Sequence, residues 1–242
     1  VTATRTPSLP ISAQSKGCNH VGVFPDLASE TPLWLALTTV GVNAVVGALR
    51  AQVDDEHHWD IVGISTFGVL MGLGGGFIRD LLVGNVPVES LRTPWFLTTV
   101  IGAIVLVLFF GRWASKFGWL VRLLNAIAIG LFAISGVAYA LRADLPVISS
   151  LFVGVVSAVG GGVLVSVMKD EVPAILVTSA PNALVALLAS AVYAAVAVAD
   201  TSLAGISGIV AAILGHYGAH ALGLRTRRAT DASALLFTRS KK

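Results

Sequence analysis

Residues 68–87 read GVLMGLGGGFIRDLLVGNVP, and residues 154–173 read GVVSAVGGGVLVSVMKDEVP. Both segments carry three consecutive glycines followed at the same distance by Val-Pro, and an offset of 86 residues superposes them. Upstream, VVGAL at 45–49 resembles ISGVA at 134–138 at an offset of 89 residues. The chain therefore contains two related units, and an internal repeat of this kind decides the architecture.

The composition is that of an integral membrane protein. Hydrophobic residues make up 55% of the chain and charged residues only 12%, with a mean hydropathy of +0.85, whereas about a quarter of the residues of a soluble domain are charged. Strands of a membrane barrel alternate apolar and polar residues, and the apolar runs here do not. Seven uncharged runs approach or exceed the roughly 18 residues that a spanning helix needs. They are residues 31–49, 61–78, 94–111, 123–141, 145–168, 172–199 and 201–224.

The repeat and the number of spans together predict the topology. Each unit holds three spans, at residues 33–111 and 120–199, and a seventh span follows at 201–224. Because three is odd, the second unit enters the membrane from the opposite side to the first, which gives an inverted repeat. We therefore predict an all-α, polytopic membrane protein whose transmembrane domain, residues 31–224, combines a three-plus-three inverted repeat with a seventh helix.

The positively charged residues predict the orientation. With seven spans, five Lys and Arg residues fall on the side of the N-terminus and eleven on the other side. Such residues concentrate on the cytoplasmic side, so the N-terminus is predicted outside and the C-terminus inside a prokaryotic cell membrane. Residues 1–30 are predicted to form a flexible tail and residues 225–242 a basic tail. Topology explains the net charge of +3, and we expect no nucleic-acid partner.

The two glycine triplets have a functional and a structural interpretation. Three consecutive glycines are where a helix is least stable, at about 1 kcal/mol each relative to Ala, and broken helices mark the pathway in inverted-repeat transporters. Glycines in membrane helices also allow close packing. The symmetric placement of Gly74-Gly75-Gly76 and Gly160-Gly161-Gly162 favours a functional break that also packs tightly. We predict bends in spans two and five that face a polar cavity.

The stretch GLGGGFIRDLLVGNVPVESLRTPWFL at residues 72–97, with the second glycine triplet and a seventh helix, resembles the bacterial and archaeal branch of the trimeric intracellular cation channel family. The resemblance covers about residues 33–224. It implies a homotrimer in which each subunit has its own ion pathway, lined by both repeats and gated near the glycine bends. It further implies passive, weakly selective conduction of K+ and Na+. Some relatives are assigned to the uptake of small amino acids such as glycine, so a small-solute carrier is the alternative.

The second unit departs from the family pattern after its glycines. Family members often carry Arg-Asp there as well, whereas this chain has Val165 and Ser166. Arg79 and Asp80 in the first unit are therefore expected to serve one end of the pathway alone. Charges at membrane depth normally face the protein interior or water, which favours an inward gate over an interfacial snorkelling pair.

Hydroxyl groups complete the predicted pathway, because hydroxyls and freed carbonyls bind partly dehydrated monovalent cations weakly. Each serine has a structural alternative, a bond to its own helix carbonyl at i−4. The predicted pore and gate residues are the six triplet glycines (Gly74, Gly75, Gly76, Gly160, Gly161, Gly162), Arg79, Asp80, Ser65, Thr66, Ser135, Ser157 and Ser166.

Other chemistries have little support in the sequence. His216 and His220 share one face of span seven but have no companion carboxylate, so we expect no tightly bound metal, only transient K+ and Na+. No nucleophile with a base stands out, and no Gly-Lys-Ser/Thr follows the glycines as a phosphate loop requires. We expect no enzyme and no cofactor, and membrane lipids and ions as partners. A non-transporting scaffold, in which the glycines only pack, is the remaining alternative.

Overall fold

A computed structural model describes residues 33–54, 57–114, 116–173, 175–176 and 182–223. The two predicted tails, 1–30 and 225–242, lie outside the described residues. Every regular element in the described ranges is an α-helix. The helices are α1 (Leu33–Gln52), α2 (Ile61–Val83), α3 (Glu89–Arg92), α4 (Pro94–Ala114), α5 (Gly118–Arg142), α6 (Val147–Met168), α7 (Asn182–Val196) and α8 (Thr201–Ala221).

Seven of these helices are apolar and account for the seven predicted spans. Six of them in the described part of the chain are long and apolar enough to cross a membrane, and α7 is a shorter apolar helix of 15 residues. The short helix α3 lies in the connection between α2 and α4 and was not predicted. In a bilayer a helix satisfies its own backbone hydrogen bonds, which is why apolar runs of this length fold as helices. The prediction of an all-α, multi-pass membrane protein with seven helices is confirmed.

The sixth span is shorter than its apolar run. The run extends over residues 172–199, but α7 begins only at Asn182. Prolines stand at positions 173 and 181, and a proline disfavours helical geometry in the residue before it. Among the described residues of the run, 172–173 and 197–199 are not helical, so hydropathy alone overestimates this helix.

The two halves of the sequence pack in matching ways. Helix α1 packs against α2 and α4, and α5 packs against α6 and α7. A Cβ atom added to Gly68 would lie 3.5 Å from the carbonyl oxygen of Ala44, and one added to Gly154 would lie 2.8 Å from that of Ala133. Ala44 and Ala133 correspond to each other at the offset of 89 residues. Helix α8 adds to the second half by packing against α5 and α7.

The end of α2 positions the charged residues of the first unit. Gly84 closes the helix in the left-handed conformation, with φ of +79°, which glycine adopts without strain. The chain then turns back, and the backbone N–H of Glu89 donates to Asp80 Oδ2 at 2.8 Å. This return brings α3 over the end of α2, beside the Arg79-Asp80 pair.

Candidate ion pathway

The two glycine triplets meet where α2 crosses α6. A Cβ atom added to Gly75 would overlap the carbonyl oxygen of Ser157, and one added to Gly161 would lie 2.8 Å from the carbonyl oxygen of Met71. Gly74 faces the Cα atom of Gly161, at 3.5 Å from its added Cβ. Side chains are absent here because two backbones approach each other directly. The glycines of both units therefore form a single close contact, called the glycine crossing below.

The predicted interruptions of the helices at the triplets are wrong, while the predicted bends stay a prediction. Helix α2 is continuous through Gly74-Gly75-Gly76, and α6 is continuous through Gly160-Gly161-Gly162. The low helix propensity of glycine is outweighed because tight packing between membrane helices stabilises both backbones. The packing part of the interpretation is supported, and any opening near the triplets has to come from movement of whole helices or of side chains around them.

Arg79 and Asp80 form a buried ion pair that faces inward. Arg79 is 7% exposed and Asp80 1% exposed. The guanidinium lies 2.7 Å (Nη2) from Asp80 Oδ1, and Nε donates to the same oxygen at 2.8 Å. Arg79 Nη1 donates to Ser135 Oγ on α5. The snorkelling alternative therefore does not describe this pair, which links α2 to α5 inside the protein.

Two further side chains surround the pair. The Arg79 guanidinium carbon lies 3.7 Å from the centroid of the Tyr139 ring, which is within the range of a cation–π contact. Tyr139 in turn donates its hydroxyl hydrogen to Glu89 Oε2 at 3.0 Å. The arginine is thus held by a carboxylate, a hydroxyl and an aromatic face. This group of five residues, Arg79, Asp80, Glu89, Ser135 and Tyr139, is called the arginine network below.

A small cavity of about 20 Å³, room for about one water molecule, adjoins the arginine network. Its polar lining consists of hydroxyl groups and both signs of charge. Ser90 is 6% exposed, and its Oγ has no hydrogen-bond partner within the described residues. The lining residues are Ala36, Thr39, Val40, Leu73, Gly76, Arg79, Glu89, Ser90, Phe96, Phe132 and Ser135.

The cavity and the glycine crossing share one neighbouring side chain, Phe132. Phe132, 2% exposed, is one wall of the cavity, and its Cε1 atom lies 3.5 Å from a Cβ added at Gly75. Ser157, fully buried, donates its hydroxyl hydrogen to the carbonyl oxygen of Gly75 at 3.4 Å. Asn43 donates to the carbonyl oxygen of Ala128 at 3.4 Å. Of the predicted serines, Ser135 therefore lines the cavity and Ser157 lies at the glycine crossing.

Three predicted pore residues lie elsewhere. Ser65 Oγ and Thr66 Oγ1 donate to the carbonyl oxygens of Ile61 and Val62, at 2.6 and 2.8 Å, within their own helix. These bonds to the i−4 carbonyl are the structural alternative. Ser166 is half-buried near the end of α6, and its carbonyl oxygen accepts the N–H of Glu171 at 2.9 Å. The structure does not bring these three residues to the cavity.

The other end of this interior carries a different arginine. Arg50, the basic residue in the last turn of α1, is exposed and donates from Nη2 to Asn125 Oδ1 on α5 at 2.7 Å. Its Nη1 lies 3.9 Å from a Cβ added at Gly162, the last glycine of the second triplet. A guanidinium therefore stands beside each glycine triplet, at opposite ends of α5.

Ion pairs join the end of α6 to the α1–α2 turn, next to Arg50. Lys169 Nζ lies 3.0 Å from Asp54 Oδ2 and also pairs with Glu171 Oε1. Trp59 Nε1 donates to the same Asp54 oxygen at 2.7 Å. Burial alone would lower the pKa of Lys169, but its hydrogen bonds and charge interactions with Glu171 and Asp54 outweigh burial, so the pKa is raised. These residues, called the lysine clamp below, join the end of α6 to the α1–α2 turn.

Sequence reasoning missed Glu89, Tyr139, Arg50 and Asn125. Arg50 was counted only as one of the eleven basic residues on the predicted cytoplasmic side. One signal was available: at the offset of 89 residues Arg50 corresponds to Tyr139, so both belong to equivalent positions of the two units. Within the described residues, no group of three or more His, Cys, Asp and Glu side chains is placed to hold a metal ion.

Comparison with known families matches this geometry. A family model described as Glycine transporter matches residues 33–112 and 122–198, close to the two predicted units. The chain belongs to this family. One relative is the UPF0126 membrane protein of Deinococcus radiodurans, which is 32% identical over 59% of this chain. The matched stretch covers 65% of the length of that relative, just under two thirds. The inner membrane protein YadS of Escherichia coli is 30% identical over 60% of this chain and 69% of its own length.

Solved structures confirm the resemblance to the trimeric intracellular cation (TRIC) channels. The TRIC channel orthologue of Rhodobacter sphaeroides superposes with a TM-score of 0.71 at 30% identity, over 79% of this chain and 98% of that chain. A second structure, which explains conductance through TRIC cation channels, also has a TM-score of 0.71, at 28% identity over 82% of this chain and 97% of that chain. This glycine transporter family member therefore has the TRIC fold.

Proposed function

We propose that the protein is a passive channel for monovalent cations, K+ and Na+, with one pathway in each subunit of a homotrimer. The observation that carries the proposal is the cavity between the arginine network and the glycine crossing, in a chain with the fold of cation channels. The pathway runs between α1, α2, α5 and α6, from the end at Arg79 to the end at Arg50. Structures of TRIC cation channels with the same fold support the choice of cations.

The lining chemistry suits cations that bind weakly and move on. Hydroxyl groups of Thr39, Ser90 and Ser135 border the cavity, and the Ser157 hydroxyl lies at the crossing. Such oxygens replace part of the hydration shell of K+ or Na+ without a fixed charge that would trap the ion. Among the described residues of the long helices, Asp80 is the single acidic side chain, and Arg79 neutralises it. Proton-coupled carriers rely on acidic residues at membrane depth, so passive conduction is favoured.

The gate in this proposal is formed by Phe132 and Arg79. The ring of Phe132 stands between the cavity and the glycine crossing, where its bulk blocks a hydrated ion. Arg79 joins α2 to α5 through its hydrogen bond to Ser135, so its side chain ties together two of the helices that border the pathway. Because both helices at the crossing are continuous, opening requires the Phe132 side chain or α5 as a whole to move.

The test is single-channel recording of the purified protein in planar bilayers with KCl. Wild-type protein should give unitary K+ currents, and Phe132→Ala should raise the open probability because it removes the ring from the crossing. Phe109→Ala is the matched control, because Phe109 is 79% exposed on the lipid-facing side of α4. Silence of the wild-type protein at all voltages contradicts the channel, and equal effects of the two substitutions contradict the gate.

A second candidate function, a carrier of a small zwitterionic solute, is favoured by one observation. The cavity is lined by the guanidinium of Arg79 and the carboxylate of Glu89, together with the free hydroxyl of Ser90. A positive and a negative group on one small cavity complement the carboxylate and ammonium groups of an amino acid. The family description, Glycine transporter, names such a solute.

Counterflow separates the two candidates. Proteoliposomes preloaded with unlabelled glycine should accumulate labelled glycine transiently if the protein is a carrier. Liposomes that instead show K+ flux linear in concentration, with no counterflow, support the channel. Glu89→Gln is the informative variant, since it removes the negative group of the cavity and should abolish counterflow while sparing K+ flux.

The orientation and the assembly belong to the same proposal. We place the N-terminus outside and the C-terminus in the cytoplasm, from the distribution of Lys and Arg. Cys18, the single cysteine of the chain, makes the test simple. A membrane-impermeant maleimide applied to intact spheroplasts should label Cys18, and labelling only after lysis contradicts this orientation. Light scattering of the detergent-solubilised protein should give the mass of three chains of 25.0 kDa each.

A further inference from the structure

The two arginines beside the glycine triplets occupy corresponding places. The last glycine of the first triplet, Gly76, has Arg79 Nη2 at 3.9 Å from its added Cβ, and the last glycine of the second triplet, Gly162, has Arg50 Nη1 at 3.9 Å. At this distance an added methyl group would make ordinary van der Waals contact with the guanidinium, so each arginine lies directly beside its glycine. Each end of the glycine crossing therefore faces one positive group.

Helix α5 holds both guanidinium groups by neutral polar side chains. Arg79 donates to Ser135 Oγ, and Arg50 donates to Asn125 Oδ1 at 2.7 Å. Ser135 and Asn125 are ten residues apart, which corresponds to about 15 Å along a helix with a rise of 1.5 Å per residue. The two charges are thus fixed on one helix, on either side of the narrow region at Phe132.

The sequence repeat explains why Arg50 is not found by looking for an Arg-Asp pair after the second glycine triplet. The position equivalent to Arg79 is Val165, which is 4% exposed in the apolar core and has no room for a charge. The position equivalent to Arg50 is Tyr139, whose ring contacts Arg79. Both arginines therefore come from the first unit: Arg79 from the glycine-bearing helix α2, and Arg50, which lies beside the second triplet, from α1.

We propose that Arg50 controls cation entry: its charge, positioned by Asn125, limits the rate at which cations pass into the end of the pathway opposite to Arg79. The proposal rests on the proposed channel function. Arg50 is exposed at the end of α1, where ions arrive from water. A fixed positive charge there lowers the local cation concentration, and salt screens this effect, with a Debye length of about 30 Å at 0.01 M and about 3 Å at 1 M.

The experiment compares unitary K+ conductance at low and high salt for Arg50→Gln, Arg50→Lys and wild-type protein. In about 0.01 M KCl, Arg50→Gln should conduct about twofold more than wild type, and the difference should vanish in about 1 M KCl as screening becomes complete. Arg50→Lys keeps the charge and should match wild type at both concentrations. Lys116→Gln is the matched control, because Lys116 is an exposed cation in the turn between α4 and α5, and it should also match wild type.

Asn125→Ala is a second variant. It keeps Arg50 and the net charge but removes the hydrogen bond that holds the guanidinium on α5. Releasing the guanidinium from α5 should raise the low-salt conductance by less than Arg50→Gln does. Equal conductance of wild type, Arg50→Gln and Asn125→Ala at low salt overturns the role of Arg50. A rise in Arg50→Gln that persists unchanged at high salt indicates a steric effect and also overturns it. A wild-type protein that carries no current overturns the channel itself, and that outcome is distinct from the other two.

Discussion

Each end of the proposed pathway carries an arginine and neighbouring ion pairs. These groups are buried at one end and more exposed at the other. At one end the arginine network is buried, with Asp80 only 1% exposed. At the other end Arg50 is exposed, and the neighbouring lysine clamp includes Glu171, whose side chain is 41% exposed. Buried ion pairs are expensive to break, whereas exposed pairs contribute little. The free energy needed to open the pathway should therefore differ strongly between the ends. The Arg50 end should open first.

The largest effect is expected when the buried pair loses its acid. Asp80→Ala leaves the Arg79 charge without its counterion and the Glu89 N–H without its acceptor. The free energy of unfolding should fall by about 3 kcal/mol or more. Chemical unfolding in detergent micelles, followed by tryptophan fluorescence, measures this quantity. The double variant Arg79→Met/Asp80→Leu should recover much of the loss, because no buried charge remains unpaired. A loss below about 1 kcal/mol for Asp80→Ala would remove the contrast between the ends.

The glycine crossing between the two ends should tolerate a methyl group poorly. Gly75→Ala places a Cβ atom against the backbone carbonyl of Ser157, which cannot move without shifting α6. Overpacking of this kind lowers the free energy of unfolding by about 1–3 kcal/mol. Gly102→Ala in α4 is the control, since no atom lies within 4 Å of its added Cβ, and it should be neutral or stabilising. The same unfolding assay applies, and a benign Gly75→Ala contradicts the close approach of the two helices.

Within the arginine network, the aromatic ring and the hydroxyl of Tyr139 can be separated. Tyr139→Phe removes the hydrogen bond to Glu89 Oε2 and should lower the free energy of unfolding by about 1 kcal/mol. Tyr139→Leu also removes the ring from Arg79 and should lose about 1 kcal/mol more. If both variants unfold alike in the denaturant titration, the ring contributes nothing beyond its hydroxyl.

The smallest effect is expected at the lysine clamp. Lys169→Ala should lower the free energy of unfolding by at most about 1 kcal/mol, because the clamp is partly exposed. The pKa of Lys169 is raised by its acidic partners, so the stabilisation is complete below the ordinary lysine pKa of about 10.4 and is lost as pH rises through the raised value. The difference between wild type and Lys169→Ala should therefore be constant from pH 7 to about 9 and decrease as pH rises above the ordinary lysine pKa. A difference that grows with pH contradicts the clamp.

The fold could be predicted from the sequence because the bilayer allows few alternatives. Apolar runs without charges favour helices in a bilayer, and each of the seven runs overlaps one helix of the structure. The bounds differ most at α2, which ends at Val83 rather than 78, at α5, which begins at Gly118 rather than 123, and at α7, which is shorter than its run. The helix α3 was not predicted, since four residues between two turns carry no periodic signal. The glycine triplets were correctly identified as related. The prediction that they interrupt their helices was wrong, because both helices continue through them. Propensity is a local quantity, and the contact of Gly75 with Ser157 that overrides it is not visible in either segment alone.

The site was predicted in part. Arg79, Asp80, Ser135 and Ser157 lie along the interior, and whether they line an open pore stays a prediction. Ser65, Thr66 and Ser166 do not reach the cavity, because a helix turns a hydroxyl toward its own carbonyls whenever no partner faces it. The expectation that the two ends differ stays a prediction too, with a changed basis: the second unit carries an arginine near its triplet, but it comes from α1.

The short helix α7 has a consequence for the surrounding lipid. Fifteen residues extend about 22 Å, whereas the hydrocarbon layer of a typical bilayer is about 30 Å thick, and α5 with 25 residues extends about 37 Å. Unless the residues before Asn182 supply the difference, the bilayer must thin on the side of α7. Hydrophobic mismatch would then enrich lipids with short acyl chains along that side, and membrane thickness would act as a physical variable on the packing of α7 against α8.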